Sequence, residues 1–453
     1  MFRLRAVRVA GVLTTALLVH PQVEAVERVV GSDASYATIG AALEVARAGD
    51  VIRIRPGTYR ESLQSLAPGV TLQGDPGGKV VIAASSGVFD IQHADIELQN
   101  VIVDGGFGSA DALKVRTAAD RFMLRGVEVR RSGHDCIDLE APRDVTITDS
   151  VIHHCLRTAN PDCGEEPCPP VVRCDDNDCR RDAHGIAAGA VRRLRIINTT
   201  IHTFSGDAVQ VDADRGQPAW DEVTIAGCEF RLAPLDADVG GFAAGVVPGE
   251  NAVDTKTPVV DGPPSRLTIR DTIASGFGGG LVRNAAFNLK ENVAVDIDGV
   301  TVYDSQIAFR IRGANAKSPF RAAVGLRNVV VFDVATAFRY EGGRNTIALV
   351  NSTIGRDVGQ VFDARASAPG TVINARNVLV VGDALPPQIT GATNLAISAR
   401  GFIDALAHDY HLSASSPAVD RGSNAGEIPE RDRDGRPRMV GETIDLGAFE
   451  YQR

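Results

Sequence analysis

The sequence predicts an all-β chain wound into a single-stranded parallel β-helix, and three observations support that fold class. A tripeptide of an aliphatic residue, any residue and then Asn, Asp or Gly recurs through the middle of the chain. The third residue of each tripeptide lies in most cases 23 to 29 positions after that of the preceding one. These third residues are Asn100, Gly126, Asp149, Asn198, Gly227, Asp271, Gly299, Asn328, Asn351 and Asn377. The segments between them are short β-runs without the apolar spacing of three and four that helical repeats need. A period in the twenties with such strands is typical of a β-solenoid.

The N-terminus reads as a secretory signal. Three arginines among the first eight residues precede an apolar run from Val9 to Val19, and Val23-Glu24-Ala25 fits a small-residue cleavage site. We therefore expect residues 1–25 to be removed and the protein to be secreted or periplasmic. The apolar run is short for a bilayer span and no later run exceeds it, so membrane insertion is not expected.

Charge and cysteine usage narrow the partners and the compartment. The net charge of -10 disfavours nucleic acid and anionic membrane surfaces, whose phosphates would be repelled. It is compatible with an acidic substrate where cations are locally concentrated, and we expect a monomer. Six of the seven cysteines lie between Cys136 and Cys179 without the C-x2-C pair of a zinc site. For an exported chain this favours disulfides that pin a surface loop, with Cys228 left as a buried free thiol.

Both ends carry capping segments. From Ser35, an amphipathic helix followed by a strand resembles the N-terminal cap of right-handed β-helix enzymes such as pectate lyases and pectin esterases. The tail resembles the terminal module of many exported bacterial β-helix proteins. The predicted plan is a right-handed, pectin lyase-like β-helix over 26–400 and a C-terminal capping module over 401–453. A cysteine-rich insertion at 156–181 and a loop at 231–250 interrupt the helix.

A second repeat predicts which side chains face outward on one sheet. The strands VFDIQ, ALKVR, CIDLE, GIAAG, AVQVD, AVDTK, GLVRN, AFRIR, AFRYE and VFDAR each follow one turn of the solenoid. Their third and fifth residues should point outward, and equivalent residues stack about 4.8 Å apart. Along this face carboxylates cluster up to Asp254 and cations dominate from Lys256 to Arg339. At one rung the outward residues are the small Ala187 and Gly189, which leave a shallow place in this face.

Carboxylates beside cations suit the chemistry of uronate polysaccharides. In β-elimination a base removes the proton next to the uronate carboxylate, and calcium held by Asp or Glu neutralises that carboxylate. A Lys or Arg among other cations can serve as the base.

The chain resembles β-helix polysaccharide lyases, especially pectate lyases of family 9 and the chondroitinase B/alginate lyase group. The resemblance implies that Lys256 in ENAVDTK is the base and that Arg283, with Arg310 as a substitute, is a second catalytic residue. It implies calcium bound by Asp212, Glu250 and Asp254, and an acidic polysaccharide as substrate. The side chains expected to contact that substrate are Arg312, Arg339, Gln210 and Asn284.

Three alternatives stay open. Lys256 could be an ordinary solvated lysine, and the same face could dock a glycan without cleaving it. SGHDCIDLE also resembles an element of family 28 polygalacturonases, which hydrolyse with paired aspartates. Asp135 and Asp138 would then be candidates, since inverting hydrolysis needs two carboxyl groups about 6.5–9.5 Å apart.

Overall fold

A computed structural model describes residues 25–84, 86–158, 179–213, 219–256, 262–278, 284–316, 318–365 and 368–452. The predicted signal, most of the cysteine-rich insertion and Arg283 lie outside these ranges. None of the described helices is long and apolar enough to cross a membrane.

The described chain is a parallel β-helix of three sheets, which each turn of the solenoid visits in the same order. The described strands of the first sheet are Glu27–Val30, Val51–Ile54, Thr71–Gly74, Glu97–Gln99, Met123–Arg125, Thr146–Thr148, Arg195–Ile197, Val223–Ala226, Ser265–Arg270, Val293–Asp298, Ala322–Arg327, Thr346–Val350 and Val372–Arg376. Those of the second sheet are Gly57–Tyr59, Val80–Ala83, Ile102–Gly108, Glu128–Ser132, Val151–Cys155, Thr200–Phe204, Glu229–Arg231, Ile273–Ser275, Thr301–Tyr303, Val330–Val331, Thr353–Ile354, Leu379–Val381 and Leu395–Ile397.

The third sheet carries the predicted outward face. Its described strands are Leu63–Gln64, Phe89–Ile91, Leu113–Val115, Ile137–Glu140, Ile186–Gly189, Val209–Asp212, Val253–Thr255, Phe287–Leu289, Ser305–Arg312, Val334–Glu341 and Val358–Ala364. Strand pairing within all three sheets is parallel, so each turn forms one rung of a stack. The prediction of an all-β parallel β-helix is confirmed.

The recurring Asn, Asp or Gly marks the corner between the first and second sheets. All ten of these residues have a left-handed backbone, with φ between 45° and 71°. Gly and Asn tolerate this region best, which is why the repeat is restricted to such residue types. Some of them also bond between rungs: the Asn377 side-chain amide donates to Asn351 Oδ1 at 3.3 Å.

The interior is packed with aliphatic side chains and one phenylalanine column. Along the third sheet the rings of Phe287, Phe309, Phe338 and Phe362 stack at centroid distances of 5.3, 5.5 and 5.3 Å. Equivalent positions of successive rungs therefore bury equivalent side chains, and this fixes the register of the outward residues between them.

The predicted N-terminal helix is present as Ile39–Leu43. Thr38 caps it, and Ile39, Ala42 and Leu43 are buried against the first coils. The Glu61 carboxylate accepts hydrogen bonds from the backbone N–H groups of Ile39 and Gly40, each at 2.9 Å. The helix thus covers the open end of the stack and its first donors are satisfied from the next coil.

The tail packs as a separate small core around Phe402, Tyr410, Leu412 and Leu446. It contains the short 3₁₀ helices Ala399–Gly401 and Ala405–Ala407 and the antiparallel strands Phe402–Asp404 and Asp409–Leu412. Arg438 is buried there, where its guanidinium donates to the carbonyl of Ala448 at 2.8 Å.

Two long connections leave the stack at the corner between the second and third sheets. The first begins after Val151–Cys155 and includes the antiparallel strands Arg157–Thr158 and Arg180–Arg181. The second follows Glu229–Arg231. Leu156, Cys179, Leu235 and Phe242 bury one another where the two connections meet.

The cysteines partly follow the sequence prediction. Cys136 and Cys155 form a disulfide with a Cα–Cα distance of 5.5 Å, but both are fully buried in the coil rather than in a surface loop. Cys179, at the end of the insertion, is also disulfide-bonded. Cys228 is free and buried, as expected.

Candidate active site

The outer face of the third sheet has the predicted register with one correction. Asp90 pairs with Lys114, Lys114 with Asp138, and the alignment continues rung by rung to Asp254. The next rung is AFNLK, because Asp254 pairs with Asn288 and Asn288 with Arg310. GLVRN, which the sequence predicts for this rung, precedes that strand in the sequence, and all of it except Asn284 lies outside the described residues.

The corrected register changes the assignment of two predicted residues, Arg283 and Asn284, and it brings Asn288 and Lys290 to the outward positions of this rung. Asn284 does not face outward: it is buried, and its side-chain amide donates to the carbonyl of Gly249 at 3.3 Å. Arg283 lies outside the described residues. Asn288 and Lys290 take the outward positions of the rung. The phenylalanine column was the available signal, since AFNLK shares Ala-Phe with AFRIR and AFRYE.

The predicted arginines of the basic end are engaged with acidic neighbours. Arg310 makes a two-pronged contact with Glu341, with both distances 3.0 Å. Arg339 lies 3.1 Å from the same carboxylate, and Arg312 lies 3.9 Å from it. Glu341 is therefore a shared partner of three arginines that were predicted to act in catalysis and substrate binding, and Glu291, 3.7 Å from Arg312, and Asp363, 3.6 Å from Arg339, add negative charge. Paired in this way, they hold adjacent rungs together.

Lys256 and Asp254 differ in their surroundings although they are two residues apart. Asp254 is buried, and its carboxylate forms an ion pair with Lys290 at 2.6 Å. Burial, together with the nearby Asp207 carboxylate, raises the pKa of Asp254 to about 7. Lys256 is half-buried at the end of the strand, and the indole N–H of Trp220 donates to its carbonyl at 2.8 Å. Among the described residues, its ammonium has no carboxylate within ion-pair distance.

The three predicted calcium ligands do not assemble into one donor set. Glu250 is ion-paired with Arg180, Asp254 with Lys290, and Asp212 stands apart on the preceding rung. Within the described ranges, the one group of at least three His, Cys, Asp or Glu ligand atoms within 4.8 Å of one another is Asp111, His134 and Asp135. The residues at the predicted position therefore do not fit a calcium ion, because cations already occupy two of the three carboxylates.

The shallow place predicted at Ala187 and Gly189 is a cavity of about 230 Å³. Its floor is made of these small residues, and carboxylates rise on either side. The lining residues are Asp138, Leu139, Glu140, Ala187, Ala188, Gly189, Gln210 and Asp212. Glu140 and Asp212 both pair with Gly189, so they flank it from opposite rungs. Two rungs correspond to about 9.6 Å between their backbones.

The carboxyl groups around this cavity have opposed electrostatic environments. Burial raises the pKa of Asp138, assisted by the nearby Asp111 and Asp135 carboxyls, although Lys114 at 2.5 Å acts in the other direction. Burial also acts to raise the pKa of Glu140, but hydrogen bonds from Lys114 and Arg116 outweigh it and lower that pKa. Carboxyl groups whose pKa values are pushed apart are suited to separate acid and base roles.

Asp212 is the least restrained carboxylate of the cavity. On the other side of the floor, Lys114 contacts both Asp138 and Glu140, and Arg116 contacts Glu140. In the part of the chain that the structure describes, no Lys, Arg or His lies within ion-pair distance of Asp212. Its carboxylate is therefore available to accept a proton from a molecule in the cavity.

A chain of hydrogen bonds runs beneath the cavity at the corner between the second and third sheets. In each coil the residue two positions before the third-sheet strand accepts the backbone N–H of its equivalent in the next coil. The bonds run from Asp135 to Asp111, His184 to Asp135, Asp207 to His184, Asn251 to Asp207 and Ala285 to Asn251, at 3.2, 2.7, 2.8, 3.2 and 3.1 Å. We call this set the corner ladder.

The corner ladder orients the ring of His184, whose Nδ1 accepts the backbone N–H of Asp207 at 2.8 Å. The side-chain amide of Gln210 lies 2.7 Å from Nε2 of the same ring and donates to the Asp207 carboxylate at 3.3 Å. Gln210, predicted to bind substrate, thus lines the cavity and is held in place by the ladder behind it.

Comparison with known proteins adds a likeness of fold. No family model matches the sequence, and no curated protein matches it. Among solved structures, pectate lyase Pel9A is 16% identical with a TM-score of 0.48, and the alignment covers 95% of this chain and 97% of that chain.

Two further structures have a comparable likeness. A rhamnogalacturonan lyase is 12% identical with a TM-score of 0.47, covering 92% of this chain and 96% of that chain. An alginate lyase from Paenibacillus sp. str. FPU-7 is 12% identical with a TM-score of 0.44, covering 77% of this chain and 99% of that one. The likeness to these structures is one of fold alone.

Proposed function

We propose that this protein is an exported enzyme that hydrolyses a glycosidic bond in a polysaccharide lying along the outer face of the third sheet. The observation that carries this assignment is the cavity over Ala187 and Gly189, which has Asp138 on one side and Asp212 on the other. Polysaccharide-cleaving proteins among the structures of similar fold agree with a carbohydrate substrate. The predicted signal at 1–25 accounts for export.

The two carboxyl groups have complementary roles. Asp138, whose pKa is raised by burial, donates a proton to the glycosidic oxygen as the bond to the sugar breaks. Lys114 at 2.5 Å then stabilises the carboxylate that remains. Asp212 accepts a proton from the attacking water on the opposite side of the floor. Small residues between the carboxyl groups leave room for that water, which inverting hydrolysis requires. Asp138 pairs with Ala187 and Asp212 with Gly189, so the two carboxyl groups lie on opposite rungs and are offset by two residues along the strand.

The neighbouring rungs favour an acidic polysaccharide. Lys256 follows Asp212 at the same outward position, and Lys290 follows Lys256. The ammonium of Lys256 is free of described carboxylates, so it can contact a uronate carboxylate one or two sugars from the cleaved bond. This keeps the acidic substrate of the sequence analysis and moves the cleavage to the cavity.

A second candidate is β-elimination with Lys256 as the base. The observation that favours it is the contrast between Lys256 and its neighbours: Lys290 and Arg310 are paired with carboxylates, whereas Lys256 has none within the described residues. No step is assigned to calcium, since Asp212, Glu250 and Asp254 do not form one donor set.

The products separate the two reactions. Purified mature protein is incubated with pectate, alginate and glycosaminoglycans, with and without a chelator. Hydrolysis produces new reducing ends without the ultraviolet absorbance of unsaturated uronates, and elimination produces both. Asp138→Asn and Asp212→Asn should each lower hydrolysis by about 10²-fold or more. The matched control is Asp363→Asn, a carboxylate of the same sheet that is paired with Arg365 at 2.9 Å.

Three results contradict hydrolysis at this cavity. Unsaturated products that disappear in Lys256→Ala and persist in Asp212→Asn assign elimination to Lys256. Full activity in both Asp138→Asn and Asp212→Asn removes the cavity as the site. Binding of an acidic polysaccharide without cleavage of any tested glycan identifies a docking protein.

A further inference from the structure

The last described strand of the third sheet, Val358–Ala364, lies at an open edge. It pairs with strand Val334–Glu341 on one side, and the described chain places no further strand of this sheet on the other. At the opposite end of the sheet the edge strand is Leu63–Gln64, which has only two residues. Natural proteins keep exposed edges short or interrupt them with lysine or proline. Val358–Ala364 has seven residues and contains neither, so it can still be paired.

Alternate residues of this strand direct their backbone groups to the open side. The carbonyl of Asp357 accepts the N–H of Val334 at 3.0 Å, and the N–H of Arg365 donates to the carbonyl of Tyr340 at 3.1 Å. In a parallel sheet, successive residues direct their backbone groups to opposite neighbours. The residues that face the open side are therefore Val358, Gln360, Phe362 and Ala364. Within the described ranges, nothing bonds to their backbone N–H or carbonyl groups.

The interior of the stack is closed at this end, so the open groups belong to the strand and not to the apolar core. Leu385 and Ile389, from the connection that follows, pack against the core. Gly359 and Gln360 of the strand remain exposed. A partner at this end must therefore satisfy backbone hydrogen bonds, which an added extended strand does.

We propose that two copies of this protein associate through Val358–Ala364, with the two strands antiparallel across a twofold axis. The open backbone groups match one another when Val361 lies beside the axis. Gln360 then faces Phe362 of the second copy, and the first residue of the strand faces the last. Each of the four open residues exchanges both of its backbone hydrogen bonds with its counterpart in this register.

The charges at the two ends of the strand favour a second copy as the partner. In this register Asp357 lies opposite Arg365 of the second copy, and the twofold axis repeats the pair. Both side chains are exposed, Asp357 at 54% and Arg365 at 51%. Opposite charges that face each other across an antiparallel pair attract. Arg356 and Asp363 complete the set, so the edge has two charges of each sign and does not repel its own copy.

A monomer is expected from the sequence, and the open edge is the observation that argues for a dimer. One paired strand on each copy buries little surface, so the dimer should be weak, with a micromolar Kd. Strand Ile186–Gly189, which holds the floor of the cavity, lies in the middle of the same sheet. Association and hydrolysis can therefore be tested separately.

Sedimentation of the purified mature protein tests the contact. Between about 1 and 200 µM the wild type should change from monomer to dimer and no further. Gln360→Pro removes one open N–H from each copy and should raise the Kd by more than about 10-fold. A proline whose N–H would face solvent is tolerated at a sheet edge, so the fold should persist. The matched control Gln360→Ala keeps the N–H and should leave the Kd unchanged, and circular dichroism verifies that both variants are folded.

Charge exchange tests the identity of the partner and the register. Asp357→Arg places like charges opposite each other at both ends of the paired strands, and Arg365→Asp does the same, so each variant alone should have its Kd raised by about 10-fold or more. An equimolar mixture of the two variants should recover dimerisation, because both unlike pairs form between one copy of each. Arg121 and Arg193 already occupy the left-handed backbone that Asp357 has, so this fold tolerates arginine there.

Several results overturn the proposal. A wild-type protein that stays monomeric at about 200 µM lacks the contact. A dimer that persists in Gln360→Pro uses another surface, and one that is lost in Ile403→Ser/Leu406→Ser uses the exposed apolar side chains of the C-terminal module. Association beyond a dimer excludes a twofold contact, which closes on itself. Equal association of the wild type and the two charge variants excludes the register.

Discussion

The two halves of the third-sheet outer face use the same backbone and similar charged residues, but they differ in what those residues contact. In the basic half, Glu341 holds Arg310, Arg312 and Arg339 within 3.9 Å or less. In the acidic half, Asp138 and Asp212 stand across a floor of Ala187 and Gly189 with space between them. Charge density is high in both halves. What distinguishes the acidic half is room for a ligand and, in the ranges that the structure describes, one carboxylate, that of Asp212, with no cation within ion-pair distance.

Filling the floor of the acidic half should have the largest effect. Ala187→Leu places a branched side chain between Asp138 and Asp212 and displaces both water and sugar. We expect kcat/KM to fall by about 10²-fold, because displacement of the reacting groups by about 1 Å costs that much. The control is Ala364→Leu, an exposed alanine near the far end of the same sheet. Equal losses in both variants would show that the cleaved bond does not lie over Ala187.

Removing the shared carboxylate of the basic half should affect stability more than catalysis. Glu341→Gln leaves three arginines without their common partner, and we expect a loss of about 2 kcal/mol in the free energy of unfolding by guanidinium. Glu229→Gln, which is half-exposed and lies 4.0 Å from Arg231, should cost less than about 0.5 kcal/mol. If Glu341→Gln changes KM with little change in stability, the arginines bind substrate, as the sequence analysis predicts.

The buried pair between the two halves should make stability depend on pH. The pKa of Asp254 is about 7 in the folded protein, above its ordinary value of 3.8, so the folded state binds this proton more tightly than the unfolded state. This contribution to stability is greatest below about pH 4 and is lost as the pH rises to about 7. Between about pH 6 and pH 7.5 the wild type should therefore lose about 1 kcal/mol more stability than Asp254→Asn/Lys290→Met. Urea unfolding at both pH values measures this, and parallel pH dependence of the two proteins would contradict it.

The smallest effect is expected from the rim of the acidic half. Arg116 contacts Asp90 at 2.8 Å and Glu140 at 3.1 Å, and its side chain is 40% exposed. Arg116→Met should cost less than about 1 kcal/mol of stability, because solvent screens such pairs. Lys114 still pairs with Glu140 in this variant, so activity should change only a few-fold. Complete loss of activity would place Glu140 or Arg116 in the catalytic machinery.

The repeat could be predicted from the sequence because backbone geometry restricts it to few residue types. Asn198, Gly227 and Asp271 differ in side chain but share a left-handed backbone, so the pattern survives where other residues vary. The shallow floor at Ala187 was also predictable, since outward positions follow from alternation. One rung was misassigned because GLVRN and AFNLK both contain apolar residues, and only the buried phenylalanine identifies the strand.

The partners of the charged residues could not be predicted. Whether Arg310 binds Glu341 or a substrate depends on side-chain conformation and on which rung neighbours which, and the sequence fixes neither directly. Asp254 and Lys256 are two residues apart in ENAVDTK, yet Asp254 is buried and ion-paired with Lys290 from the next coil, whereas Lys256 is half-buried. The disulfide between Cys136 and Cys155 was likewise hidden, because it joins two sheets of one coil instead of closing a loop.

The corner ladder has a consequence for how such a protein can change over evolution. Each member needs only to accept a backbone N–H from the next coil, and Asp135, His184, Asp207 and Asn251 all satisfy that requirement with different chemistry. A whole coil can therefore be exchanged, duplicated or lost while its neighbours keep a compatible joint. The functional group that this coil places on the outer face of the third sheet can change in the same event. In this fold the coil, more than the single residue, is the unit in which a new activity can be acquired.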